Sequence, residues 1–152
     1  MSRMILPLVA TLLAGPALAA DTGDAAKGEK AFAKCRACHT IESDTGEEIV
    51  KGGRTGPNLY GVVGRQAGSS EGFIYSADLV TAGENGLVWD AESFVAYTHD
   101  PREFLRAFLD DSKAKSKMTF KLKKGGEDVA AYLASVGPAV ETEEAEEAAA
   151  TE

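Results

Sequence analysis

Two cysteines and a histidine stand together as Cys35-Arg36-Ala37-Cys38-His39, and C-x-x-C-H is the spacing of c-type haem attachment. Two thiols three residues apart on one helical turn can each add to a vinyl group of the same porphyrin, and the histidine that follows is then set beneath the iron. The pattern predicts one covalent haem c, held through Cys35 and Cys38, with His39 as an iron ligand. Two other chemistries use such a pair. A structural zinc site needs further good ligands, and the one remaining Cys or His in the chain is His99. A thioredoxin-like dithiol would follow a strand-rich βαβ pattern, whereas a helix-like segment precedes the pair here.

A low-spin electron-transfer haem needs a second axial ligand. Apart from Met1 and Met4, the only methionine is Met118. It lies in the polar, lysine-rich stretch Lys117-Met118-Thr119-Phe120 rather than in an apolar stripe, which favours a ligand over core filler. A neutral thioether favours ferrous iron and so raises the reduction potential. His99, in Tyr97-Thr98-His99-Asp100-Pro101, is the other candidate, although a loop histidine beside a helix cap is ordinarily solvent-facing.

The elements that must position these residues are helical. A first helix is predicted from Asp24 to the attachment motif, with Gly28, Phe32 and Cys35 on one face. Gly28 costs helix stability, which points to a close helix crossing. From Thr40 to Trp89 the chain is rich in Gly, Ser, Asn and Asp with little periodicity, and is expected to form long loops over the haem rather than sheet. A second helix is expected near Asp90, with Phe94 and Tyr97 inward, ending before Pro101. A third follows at once, with Asp100 as cap, Pro101 in the first turn, Glu103 completing a capping box, and Phe104, Leu105 and Phe108 as its apolar face. A last helix is predicted from Glu127 to Val136, with Val129, Tyr132, Leu133 and Val136 inward, stopping at Gly137-Pro138. Four helices and long loops make an all-α domain.

The chain opens with Arg3, a short apolar run from Met4 to Leu13 and then Ala17-Leu18-Ala19. That is the pattern of a secretory signal peptide over residues 1–19, too short to span a bilayer. Its removal would leave 133 of 152 residues, enough for one domain, and with Arg3 gone the formal charge of −8 becomes −9. Nucleic-acid binding is not expected at that charge. The last twelve residues, 141–152, hold six glutamates and no base, an acidic tail expected to be disordered. The predicted haem domain is residues 20–140, periplasmic and monomeric, with no integral membrane segment in the mature protein.

Taken together, C-x-x-C-H, Met118 and the helix order resemble class I cytochrome c, most closely the bacterial cytochrome c2 and c-550 group. The resemblance rests on Gly28 and Phe32, Cys35 to Thr40, the run Thr55-Gly56-Pro57-Asn58-Leu59-Tyr60-Gly61, Gly64-Arg65, Trp89, Lys117-Met118 with Phe120, and Tyr132-Leu133. It implies that the Pro57 carbonyl accepts the second ring nitrogen of His39. It also implies that Arg65, Tyr75 and Trp89 serve the inner haem propionate, and that Tyr97 hydrogen-bonds the Met118 sulfur. Ser116 stands where the family often has a threonine near a propionate.

The implied function is one-electron transfer, from a cytochrome bc1-type donor to a terminal oxidase, a photosynthetic reaction centre or a periplasmic reductase. With both axial positions filled no substrate reaches the iron, and the chain is not expected to be an enzyme. A haem enzyme or gas sensor with an open sixth position is the alternative. Lys113, Lys115, Lys117, Lys121, Lys123 and Lys124 crowd a segment with no acid, and Lys34 precedes the motif. They form a basic rim expected to steer redox partners to the haem edge.

Overall fold

A computed structural model describes residues 23–138. The predicted signal peptide, the acidic tail and the outer limits of the 20–140 domain lie outside the described residues. Within them the order is α1 (Ala25–Phe32), β1 (Ile41–Glu42), β2 (Glu48–Val50), α2 (Ala77–Glu84), α3 (Ala91–His99), α4 (Pro101–Leu109) and α5 (Gly126–Val136). None of these helices is long and apolar enough to cross a membrane.

The terminal helices cross and form the frame. Asp24 caps α1, accepting the Ala26 and Lys27 amides at 2.9 and 3.1 Å, and its own amide donates to Asp128 Oδ1 of α5 at 2.8 Å. At the crossing Gly28 is buried, and a Cβ there would lie 1.9 Å from the Asp128 carbonyl oxygen. The cost of glycine in this helix is therefore the condition for backbone contact, as the sequence predicts. Phe32 and Tyr132 complete the seam at 5.8 Å between ring centroids.

Helix α3 starts at Asp90 and α4 at the Asp100 cap, as the sequence predicts. Asp90 and Ser93 form a reciprocal capping box on α3. Asp100 accepts the Glu103 amide at 3.3 Å at the head of α4, but the box expected there is half made, because the Glu103 carboxylate turns to Arg106 at 2.8 Å. Leu105 takes the core position of α4, while Phe108 is 40% exposed instead of inward. It stacks outside on Phe104 at 6.0 Å.

The segment expected to be loops holds two further elements, which makes five helices rather than four. A short antiparallel hairpin pairs Ile41 with Val50 and Glu42 with Glu48 around a Ser43–Gly46 turn. Helix α2 buries Leu79, Ala82 and Gly83 at helical spacing. The hairpin's β2 strand faces solvent with one half-buried residue, and Ser76 makes no side-chain cap on α2, unlike the caps of α1, α3 and α4, so neither element carries a strong local signal.

Candidate functional site

The attachment motif follows α1 on a tight turn. Arg36 N donates to Phe32 O at 3.2 Å and His39 N to Cys35 O at 2.9 Å, so Cys35, Cys38 and His39 share one α-like turn even though the helix proper ends at Phe32. Cys35 is half-buried and Cys38 exposed. Burial pushes the Cys35 thiol up to about 11, the reverse of the activated thiol that a redox dithiol requires.

His39 is fixed from behind. Its Nδ1 lies 2.8 Å from the Pro57 carbonyl oxygen, and a carbonyl can only accept, so Nδ1 carries the proton and Nε2 keeps a free lone pair for a metal. Burial holds the imidazole below its ordinary pKa, with the Pro57 bond acting in the other direction. Gly56 presses on the ring: a Cβ there would stand 2.4 Å from His39 Cε1. The segment is sewn to the motif by Gly53 N to Arg36 O and Gly56 N to Cys38 O, both at 2.8 Å.

These residues open into a cleft of about 330 Å³ whose lining also includes Met118, Arg65, Tyr75, Trp89 and Tyr97. All nine residues singled out in the sequence (Cys35, Cys38, His39, Pro57, Arg65, Tyr75, Trp89, Tyr97 and Met118) line it. His99 does not. It is exposed and lines a separate groove between α3 and α5 rather than this cleft.

Arg65 and Tyr97 in the cleft are each held by a named partner. Arg65 donates from Nη1 to Tyr60 O and from Nη2 to Asn58 O, both at 3.0 Å, which uses two of its five N–H donors. Burial lowers its pKa, opposed by Tyr75. The Tyr97 hydroxyl lies 3.1 Å from Ser116 Oγ, which in turn accepts the Met118 amide at 3.1 Å, so Tyr97 is tied to the methionine backbone through a serine. Burial raises the Tyr97 pKa, with Ser116 opposing. Trp89 packs on Tyr97 at 5.0 Å.

The sequence marks Asn58 only as part of the run that carries the resemblance and gives it no role of its own. Its side chain accepts the Glu42 amide at 3.0 Å and donates to Glu42 O at 2.6 Å, while its carbonyl holds Arg65. One residue thus joins the hairpin to the cleft, and its place beside Pro57 in the Gly-Pro-Asn run was the available signal.

The residues fit a haem: a largely apolar slot, two cysteines and a tautomer-fixed histidine on one turn, a thioether in the same lining, and spare Arg65 donors for a carboxylate. No protein-family model matches the chain. It is 66% identical over 137 residues to cytochrome c-551 of Roseobacter denitrificans, covering 90% of this chain and 96% of that protein. It is 57% identical over 129 residues to cytochrome c2 of Rhodobacter capsulatus, covering 85% and 92%. The solved structure of cytochrome c2 from Rhodobacter capsulatus superposes with a TM-score of 0.74 at 60% identity, covering 75% of this chain and 98% of that one. The chain belongs to the cytochrome c2 group of class I c-type cytochromes. Its function is electron carriage, and its cofactor is one covalent haem c, with Cys35 and Cys38 in the C-x-x-C-H position.

Within this cytochrome the lysines divide. Lys117 Nζ donates to Ile74 O at 2.7 Å, Lys121 Nζ meets Asp100 Oδ2 at 2.6 Å, and Lys123 Nζ donates to His99 O at 3.2 Å. Among the described residues no side-chain hydrogen bond or ion pair holds Lys34, Lys113, Lys115 or Lys124, all of them exposed.

Proposed function

We propose that this cytochrome is a periplasmic, monomeric one-electron shuttle whose haem iron is bound by His39 and Met118. The observation that carries the reading is the 2.8 Å bond from His39 Nδ1 to Pro57 O. It leaves Nε2 as the metal-binding nitrogen in a cleft that also contains Met118. Bound haem supplies the one-electron iron couple. The protein's part is to hold both ligands, keep water out with Leu59, Val62, Leu79 and Phe94, and change little between oxidation states. Arg65, Tyr75 and Trp89 are assigned to the inner propionate, which costs free energy in an apolar site unless donors meet it.

Two filled axial positions leave no coordination site for a substrate, so this reading gives the chain no catalytic role. The donor is proposed to be a cytochrome bc1-type complex and the acceptor a terminal oxidase, a reaction centre or a periplasmic reductase. Partners would meet the lysine-rich rim, with Lys34, Lys113, Lys115 and Lys124 carrying most of the free charge.

The test is a set of visible spectra of the matured protein, oxidised and reduced, with and without carbon monoxide. A sharp reduced α band, a weak far-red sulfur-to-ferric band and indifference to carbon monoxide are expected. A carbon monoxide shift with no far-red band would remove Met118 from the iron and favour a gas-binding or catalytic haem.

A further inference from the structure

The stretch Lys113–Lys124 that carries Met118 contains no helix or strand, so its position depends on contacts with its neighbours. On the leading side, Lys115 N donates to Asp78 Oδ2 in the first turn of α2 at 2.7 Å, and Lys117 Nζ donates to Ile74 O at 2.7 Å. On the trailing side, Leu122 N donates to Thr98 O at 2.8 Å, Lys121 Nζ meets Asp100 Oδ2 at 2.6 Å, and Lys123 Nζ donates to His99 O at 3.2 Å. All three trailing partners lie in residues 98–100, where α3 ends and α4 begins.

Asp100 has two roles at this joint. One carboxylate oxygen accepts the Glu103 amide as the cap of α4, and the other holds Lys121. The Lys121 bond lowers the Asp100 pKa, with the Glu103 bond acting in the same direction. Of the other pairs, Arg106–Glu103 at 2.8 Å lies within α4 itself, and two are longer and wetter. Lys27–Asp24 spans 3.4 Å with side chains 73% and 46% exposed, and Arg54–Glu42 spans 3.9 Å at 83% and 38%, whereas Lys121–Asp100 is 47% and 19% exposed. A short charge-assisted bond to a half-shielded carboxylate on a capped helix is the one of these pairs suited to hold a loop.

We infer that Asp100 is a positioning residue for the sixth iron ligand: through Lys121 it clamps the trailing side of the Met118 loop to the α3–α4 joint. The iron clause rests on the Met118 reading above, and the clamp itself rests on the loop contacts alone. Lys121 is accordingly a structural lysine within a segment whose composition reads as a docking rim.

The test compares the holoprotein with Asp100→Asn, Lys121→Gln, the double variant and Lys121→Arg. Asparagine keeps the α4 cap, so Asp100→Asn removes the charge and the acceptor that Lys121 uses while sparing the cap. In both single variants, hydrogen exchange of residues 113–124 is expected to rise about fivefold, with α1 and α5 unchanged. The double variant should be no faster than either single one, and Lys121→Arg should restore most of the protection. The far-red band should be lost at lower guanidinium in the same two variants while helicity persists. Unchanged loop exchange, multiplied effects in the double variant, or equal loss of protection in α1 and α5 would each overturn the clamp. Absence of the band in the parent would overturn the iron clause, and exchange would then decide the clamp alone.

Discussion

Tyr97 Oη lies 3.1 Å from Ser116 Oγ, and that same oxygen accepts the Met118 amide at 3.1 Å. A buried residue of α3 therefore fixes the backbone of the proposed ligand through one hydroxyl, before any contact with sulfur is considered. Tyr97→Phe keeps the ring packing on Trp89 and Phe104 and deletes only this bond. A loss of about 1 kcal/mol is expected in guanidinium unfolding of the holoprotein, with weakening of the far-red band. Ser116→Ala should reproduce the weakened band, since it removes the acceptor for the Met118 amide. An unaltered band in both variants would mean that this hydroxyl pair does not serve the ligand.

Gly56 and Pro57 hold His39 by different means, and substitution separates them. The bond to His39 uses the Pro57 carbonyl, which every residue has. Pro57→Ala is thus expected to cost less than about 1 kcal/mol through chain entropy and to leave the spectrum intact. Gly56→Ala puts a methyl within 2.4 Å of the imidazole, inside any allowed contact, so the ring must turn or the loop retreat. Holoprotein yield, measured as pyridine haemochrome per polypeptide, should fall sharply for Gly56→Ala only. Equal yields for the two variants would contradict the geometry.

Local signals in the sequence were legible and distant ones were not. C-x-x-C-H, the helix starts at Asp24 and Asp90 and the cap at Asp100 are read within four residues of what they act on, and the three helices start where the sequence places them. Helix α2 escaped notice because its eight residues sit in a Gly- and Ser-rich segment and its Ser76 cap makes no bond. Phe108 was expected inside, but in a nine-residue helix Leu105 already fills the core position. Composition shows where lysines cluster but not what they touch: Lys117 finds Ile74 across 43 positions of sequence. For that reason the expected rim of seven lysines divides into a free set and a set engaged in holding the loop.

Acid should loosen the helix ends first. Hydrogen bonds from the first-turn amides, and from Ser93 and Lys121, hold the Asp24, Asp90 and Asp100 carboxyls below their ordinary values. A depressed native pKa gives stability that is complete above the unfolded value, near about 3.9, and is lost as pH falls through the lower native value. The melting temperature should therefore stay flat down to the unfolded value and drop below it. Asp90→Asn and Asp100→Asn should each flatten the drop while leaving the neutral-pH α-helical signal in place. An acid limb that is identical in parent and variants would show that other carboxyls govern it.

Among the described residues Lys113, Lys115 and Lys124 have no side-chain partner, whereas Lys121 and Lys123 are tied to Asp100 and His99. Reversing the first three to glutamate should leave the fold and the far-red band unchanged, because no side-chain hydrogen bond or ion pair among the described residues is lost. Opposed charges that steer encounter act through the approach rate and are screened by salt. With a partner that presents an acidic face, stopped-flow electron transfer at low salt should slow roughly tenfold or more, and the difference from the parent should shrink as salt is added. Reversal of Lys121 predicts another pattern, a weakened far-red band with a smaller change in salt dependence, because its charge is already matched by Asp100. If reversal of the three free lysines leaves both the rate and its salt dependence untouched, the partner docks elsewhere and the lysine-rich rim is only a solvated surface.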